Sequence, residues 1–416
     1  MVKAAVGRKR RNSGASDTVL TKRPCTVHSG AGAVLTGIRG PACTGALSMP
    51  SPLPALEPAM KYKAKPFSVG SDCAGLNASG LALRLLMLDF KQKFLADIAE
   101  PCQKMLFHHF PENEIFYSDV LARSFPPYVD VYFSTFPCQP YSSAGNEKGR
   151  DDPRGRLVDI SLEYIRYRRP RLVVMENVAN LFLRFRKVFD MIVQKLETYG
   201  YHVLNAEDPL YNTKEHGIPQ NRKRAILGAV RKDCFTGAFS NLEPLEGFVK
   251  LNCFVGNVGG KAGKLPTNAT ESQITRVREA YKKAKKHGYD PKKDAVITDI
   301  GASAKFSHSM TNVMPCITAS RGKTRMYHIS TANSLMTLET IERVQGFPNN
   351  FYKPRECGVI ESAYGMMLGN SVSINVFMRL LPRFLEAAGI ISEKPKVDYW
   401  EAAIHSLKKR GLVDEY

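Results

Sequence analysis

Between Pro66 and Val230, apolar runs of strand length alternate with stretches of helical spacing, and that alternation leaves few folds open. Phe67-Ser68-Val69 leads into a glycine-bounded turn at residues 70–75, then into an apolar helical stretch from Ser79 to Leu88. Residues 94–97, 115–117, 129–133, 171–175 and 225–230 read as further strands. Residues 101–110, 154–166 and 188–199 carry helical spacing between them. The pattern predicts an α/β fold built on a mostly parallel, doubly wound sheet. Ligands of such sheets bind beyond the carboxyl ends of the strands. Asp72, Asp97, Asp119, Cys138 and Glu176 all fall at or just past strand ends, so that rim is the expected site.

The flanks differ. Residues 1–60 are rich in Gly, Ala, Ser, Thr, Pro and basic side chains and read as a disordered tail. Arg8-Lys9-Arg10-Arg11 and Lys22-Arg23 form two clusters spaced like a bipartite nuclear-import signal, which sets the expected location as the nucleus, otherwise the cytoplasm. The same clusters suit a basic arm that grips phosphate. Residues 231–310 lose the alternation, then present a basic helix over 276–286 with Lys282, Lys283, Lys285 and Lys286. Near the end, Asp398 and Glu401 are spaced as a capping box, with Trp400, Ile404 and Leu407 as the docking face and a stop at Gly411. Lys and Arg total 59 against 39 acids, and a surplus of that size favours a polyanionic partner. No stretch approaches the roughly twenty apolar residues of a membrane span. The nine cysteines show no C-x-x-C pair, so we expect no metal site, no disulfide framework and a reducing compartment.

The turn at residues 70–75 is no dinucleotide fingerprint, because Asp72 stands where glycine is needed. Leu76 and Asn77 likewise exclude a phosphate loop. Acids after the second and third strands suit ribose hydroxyls and an adenine amino group. Asp97, with Glu100 as the alternative, takes the first role, and Asp119 the second. Together they suggest an adenosine ligand without pyrophosphate, which points to S-adenosylmethionine. Cys138 lies between Pro137 and Pro140, whose fixed φ angles restrict the thiol. It is followed by Glu176-Asn177-Val178 and by Gln220-Asn221-Arg222-Lys223-Arg224. A thiol, an acid and two arginines are what methylation of cytosine carbon 5 needs. The thiolate adds to carbon 6, the acid meets ring nitrogen 3, and cations hold the carbonyl oxygen and phosphate and favour the ionised thiol. The base must leave its stack to reach them.

These motifs resemble, in order, those of the DNA (cytosine-5) methyltransferase family, over residues 67–381. Phe136-Pro137-Cys138-Gln139 resembles the catalytic Pro-Cys motif, and Gln220, Arg222 and Arg224 its Gln-x-Arg-x-Arg motif. Residues 318–321 and 338–347 resemble the ninth block, and Gly369-Asn370-Ser371-Val372 the last. The first block departs from the family's, with Gly70 in place of an aromatic that packs on adenine. The resemblance implies a Rossmann-like methyltransferase fold. Its catalytic domain spans residues 61–232, a target-recognition domain 233–354, and a completing segment 355–416. It implies Cys138, Glu176, Arg222 and Arg224 as catalytic residues. Ser71, Asp72, Cys73, Gly75, Asp97, Glu100, Asp119, Pro137, Asn370 and Ser371 would line the cofactor, S-adenosylmethionine, released as S-adenosylhomocysteine. Gln139, Ser142, Gln220, Lys282, Lys283 and Arg321 would face nucleic acid. The expected substrate is double-stranded DNA, with other chromatin or DNA-methylation factors as further partners. Two alternatives stay open: methylation of transfer RNA by the same motifs, and a catalytically silent DNA-binding regulator.

Overall fold

The computed structural model describes residues 62–142, 148–255, 262–264, 267–393 and 398–414. The two basic clusters of the first sixty residues lie outside them. Strand β1 (Phe67–Asp72) starts the main sheet. Helix α1 (Ala78–Leu85) follows, and the side chain of its N-cap, Asn77, accepts from the Gly80 amide. Then come β2 (Phe90–Ala96), α2 (Glu100–His109), β3 (Ile115–Tyr117) and β4 (Val131–Ser134). Next are α3 (Leu157–Arg168), β5 (Leu172–Val178), α4 (Arg186–Thr198), β6 (Tyr201–Val203), β7 (Leu210–Asn212) and β8 (Lys223–Arg231).

The spatial order is β3-β2-β1-β4-β5-β8-β6, with β7 beside β8. Strands β1 to β5 are mutually parallel. Strand β8 runs antiparallel to β5, β6 and β7. Strands β4 and β5 are buried on both faces, which explains the apolar runs Val131–Phe133 and Leu172–Met175. One core lies under α1 and the C-terminal helices, the other under α3 and α4.

The direction of β8 matters most for the site. A strand antiparallel to its neighbours begins at the edge where they end. In register, Arg224 faces Val178 and Ile226 faces Glu176. The basic start of β8 therefore lands on the same rim as Glu176.

Beyond β8, helix α5 (Glu271–Lys286) packs on a small antiparallel sheet of β9 (Val296–Asp299), β10 (Ser309–Thr311), β11 (Tyr327–Ile329) and β12 (Ser334–Leu335). Helix α6 (Ala319–Thr324) is interposed, and α7 (Leu338–Gln345), α8 (Glu361–Asn370) and α9 (Ile374–Ala387) return the chain to the main body. Helix α9 packs on α1. The last helix, α10 (Tyr399–Lys409), carries the expected capping box between Asp398 and Glu401, and its Trp400 is fully buried. Among the described residues, no helix is long and apolar enough to cross a membrane.

Candidate active site and nucleic-acid face

Cys138 sits in the loop after β4 and is partly exposed. The loop is fastened on both sides of the thiol. Thr135 donates to the Cys73 carbonyl at 2.7 Å, and Asn177 Nδ2 donates to the Phe136 carbonyl at 3.0 Å. The Tyr141 amide closes a turn on the Cys138 carbonyl at 3.0 Å, while the buried Tyr141 ring is tied by its hydroxyl to Gly155. The second residue of the Glu-Asn-Val motif thus holds the cysteine loop.

Glu176 is nearly buried at the end of β5, and Arg224 Nε stands 3.4 Å from its carboxylate. Burial pushes the Glu176 carboxyl above its ordinary range, against the pull of Arg224 and Arg222. A carboxyl held that way can keep a proton to donate. Burial also raises the Cys138 thiol, and Arg224 does not compensate. Arg224 and Arg222 draw the thiol down, as expected of neighbouring cations, but burial outweighs them in the resting site.

Arg222 takes a different part from the catalytic one expected. Its guanidinium donates to the carbonyls of Ile317 at 2.8 Å and Gly369 at 3.1 Å, and also to that of Ser371. It is 1 % exposed, and burial together with the Arg224 charge pulls it down to about 10. It joins three separate segments at the rim. The sequence reading missed Cys316, whose sulfur accepts from Arg222 Nη1 at 3.6 Å and Arg224 Nη2 at 3.8 Å. Its position two residues before the ninth block was the available signal.

On the opposite part of the rim, Gly75 takes φ +57°, and a side chain there would project into open space. Its amide donates to Asp97 Oδ2 at 2.8 Å, and the Ala99 amide donates to Oδ1 at 2.9 Å. Glu100 instead turns outward to Lys104 at 2.8 Å. Asp119 accepts from the Leu121 amide at 2.8 Å, at the end of β3. An open glycine turn with Asp97 on its amide, and Asp119 past the end of β3, is a set that suits an adenosyl ligand. Gly70 is required for a different reason. A Cβ there would collide with the buried Phe94 ring.

One cofactor assignment needs correcting. The Asp72 carboxylate is fully engaged inward, by Arg123 on both oxygens and by the Tyr132 hydroxyl at 2.6 Å. A carboxylate replacing a glycine in a buried turn requires a cation, and Arg123 supplies it. The Cys73 thiol is pushed far up by burial and by Asp72, so it stays protonated. Ser71 is buried in β1, Pro137 is half-buried, Asn370 is exposed, and Ser371 presents its carbonyl to Arg222.

The nucleic-acid candidates separate. Gln220 is completely buried and donates to the Val344 carbonyl at 2.6 Å, so it cannot meet a ligand. Arg321 lines an open cleft of about 520 Å³ with Cys316, Thr318, His308 and Tyr327. Asp299 holds its Nε at 2.8 Å. Lys282 and Lys283 are exposed on α5, whose buried face is Val277, Ala280, Tyr281 and Ala284. Gln139 and Ser142 are half-buried in the cysteine loop. His108, His109 and Cys357 come close enough to suggest a metal, but both His109 nitrogens already have backbone partners, Met105 and Lys353.

A family model described as C-5 cytosine-specific DNA methylase matches residues 67–385. The type II methyltransferase M1.ScrFI of Lactococcus lactis is 27% identical over 264 residues, 62% of this chain and 63% of its own. That is less than two thirds of the relative's length. M.HpaII of Haemophilus parainfluenzae is 26% identical over 328 residues, covering 74% of this chain and 87% of its own. A DNA-cytosine methyltransferase of Escherichia coli is 38% identical over 126 residues, 27% of each chain. The structure of a methyltransferase of Entamoeba histolytica, EhMeth, superposes with a TM-score of 0.54 at 19% identity, over 77% of this chain and 98% of its own. At that identity it speaks for the fold alone.

Proposed function

The chain belongs to the C-5 cytosine-specific DNA methylase family, and from that premise we propose that it methylates carbon 5 of cytosine in duplex DNA. One observation carries the reading: Cys138 and the Glu176–Arg224 pair meet on the rim that also holds the Gly75 turn. The Cys138 thiol loses its proton to solvent as its sulfur adds to carbon 6, and ring nitrogen 3 takes the Glu176 proton, which leaves carbon 5 electron-rich. Arg224 steadies the carboxylate that remains. When bound, S-adenosylmethionine supplies the methyl group and leaves as S-adenosylhomocysteine. Loss of the carbon 5 proton to solvent then expels the Cys138 thiolate, and ring nitrogen 3 returns its proton to the Glu176 carboxylate, which restores both the ring and the acid. The target base has to swing out of its stack, since Glu176 is nearly buried.

Methyl transfer from labelled cofactor to duplex DNA and to total RNA, assayed side by side, tests this. Transfer to duplex DNA is expected. Transfer to RNA alone would select the transfer-RNA branch, and transfer to neither the silent regulator.

Replacing Asp119 with Ala should weaken S-adenosylmethionine binding by about 1–3 kcal/mol, the worth of a single hydrogen bond, with DNA affinity unchanged. Calorimetry reads it directly.

The exposed lysines of α5 suit phosphate contact. Changing Lys282, Lys283, Lys285 and Lys286 to Gln should weaken all duplexes alike and flatten the salt dependence, by about 0.9 in log–log slope for each phosphate no longer neutralised. Weakening confined to one sequence, with the slope kept, would make the helix a reader of bases.

A further inference from the structure

One polar group at the rim has no part in the steps above. Cys316 follows the two-residue strand Met314–Pro315, which pairs in parallel with Gln220–Asn221. That pairing sets its sulfur beside the start of β8. The Arg224 guanidinium is then held on three sides. Its Nη1 donates to the Lys223 carbonyl at 2.8 Å, its Nη2 points at Cys316 Sγ at 3.8 Å, and its Nε meets Glu176 at 3.4 Å. A planar guanidinium engaged at all three nitrogens has its plane fixed. Arg222 approaches the same sulfur at 3.6 Å.

We infer that Cys316 acts as a thiolate that positions Arg224 and balances the two arginines, an assignment that rests on the methyltransferase reading above. The charge count supports it. A Glu176 that carries a proton for the base leaves two buried guanidinium groups without an anion. A thiolate at Cys316 supplies one. Burial alone would raise this thiol, but Arg224 and Arg222 draw it below the ordinary range, the reverse of Cys138. The other polar groups facing it are the Tyr327 hydroxyl, on its own carbonyl at 3.4 Å, and Asp299, His308 and Arg321 across the cleft.

Three variants test the role. Cys316→Ala and Cys316→Val should each lower kcat on the order of 10²-fold, with KM for DNA and for cofactor within about twofold, because Arg224 is misplaced and not removed. Cys316→Ser, which keeps an acceptor, should recover part of the rate. Were Cys316 mere packing, Val would restore activity, Ser would not, and the loss would follow thermal stability. A second measurement needs no methylation. In Cys138→Ala protein, iodoacetamide labelling of Cys316, mapped by mass spectrometry, should reach half its maximal rate below the ordinary thiol pKa of about 8.5. Adding Arg224→Gln should move that midpoint up. A midpoint at or above the ordinary value, unmoved by Arg224→Gln, overturns the inference even in an active enzyme. A low, arginine-dependent midpoint in a protein that methylates no nucleic acid supports the thiolate and fails the methyltransferase reading instead.

Discussion

Replacing Cys138 with alanine should lower methyl transfer by roughly 10⁴-fold or more and abolish covalent capture by 5-fluorocytosine DNA. Carbon 5 of cytosine is a poor nucleophile until a sulfur has added to carbon 6, and no neighbouring group can replace that addition. Cys73 is a rival in the turn after β1, but its thiol is held protonated. Cys316 is turned toward two arginines. The variant should fold, because Thr135, Asn177 and Tyr141 fasten the loop without help from the thiol. Its melting temperature, measured beside the trapping assay, separates a chemical defect from a structural one. An adduct formed by Cys138→Ala protein would assign the nucleophile elsewhere.

Changing Arg222 to methionine should act in the opposite way, on stability before chemistry. Methionine preserves much of the volume but leaves the carbonyls of Ile317, Gly369 and Ser371 without their shared donor. Buried acceptors stripped of a charged donor cost on the order of 3–5 kcal/mol together. The urea midpoint should fall accordingly, and cofactor affinity with it, since two of those carbonyls belong to the last block. Arg224→Met is the comparison, for its guanidinium meets Glu176 and Cys316 by their side chains and holds no backbone carbonyl of another segment. If the Arg222 variant keeps its midpoint and loses only turnover, the residue belongs to the chemistry as the motif resemblance implied.

Much of this site was legible because chemistry and topology agree along the chain. Apolar runs such as 131–133 and 172–175 end abruptly in polar residues, so strand ends mark the rim, and Asp97, Cys138 and Glu176 all lie on it. Direction was not legible. The apolar run of β8 reads the same parallel or antiparallel, yet only the antiparallel sense brings Arg224 to Glu176. The small sheet escaped notice because its strands run two to four residues, too short to show a period. Motif resemblance also could not tell which polar side chains serve the fold. Gln220 and Arg222 sit in a motif expected at the substrate, and both are buried on carbonyls. Asp72 could have been read better. A carboxylate displacing glycine in a buried turn demands a cation, and Arg123, past the third strand, was available.

The packing of α9 on α1 has a consequence for how the protein is made. Tyr352 reaches the Leu76 carbonyl across 276 residues of chain, and Arg171 reaches Ala388 across 217. Contacts of such span are slow to close, because the loop must be ordered before it is rewarded. During synthesis at roughly 5–20 residues per second, β1 and α1 wait many seconds for α9 to leave the ribosome. The apolar face of α1 stays uncovered for that interval, which makes the nascent protein a client for chaperones. A chain ended before Ile374 would never leave that state, however complete its catalytic motifs.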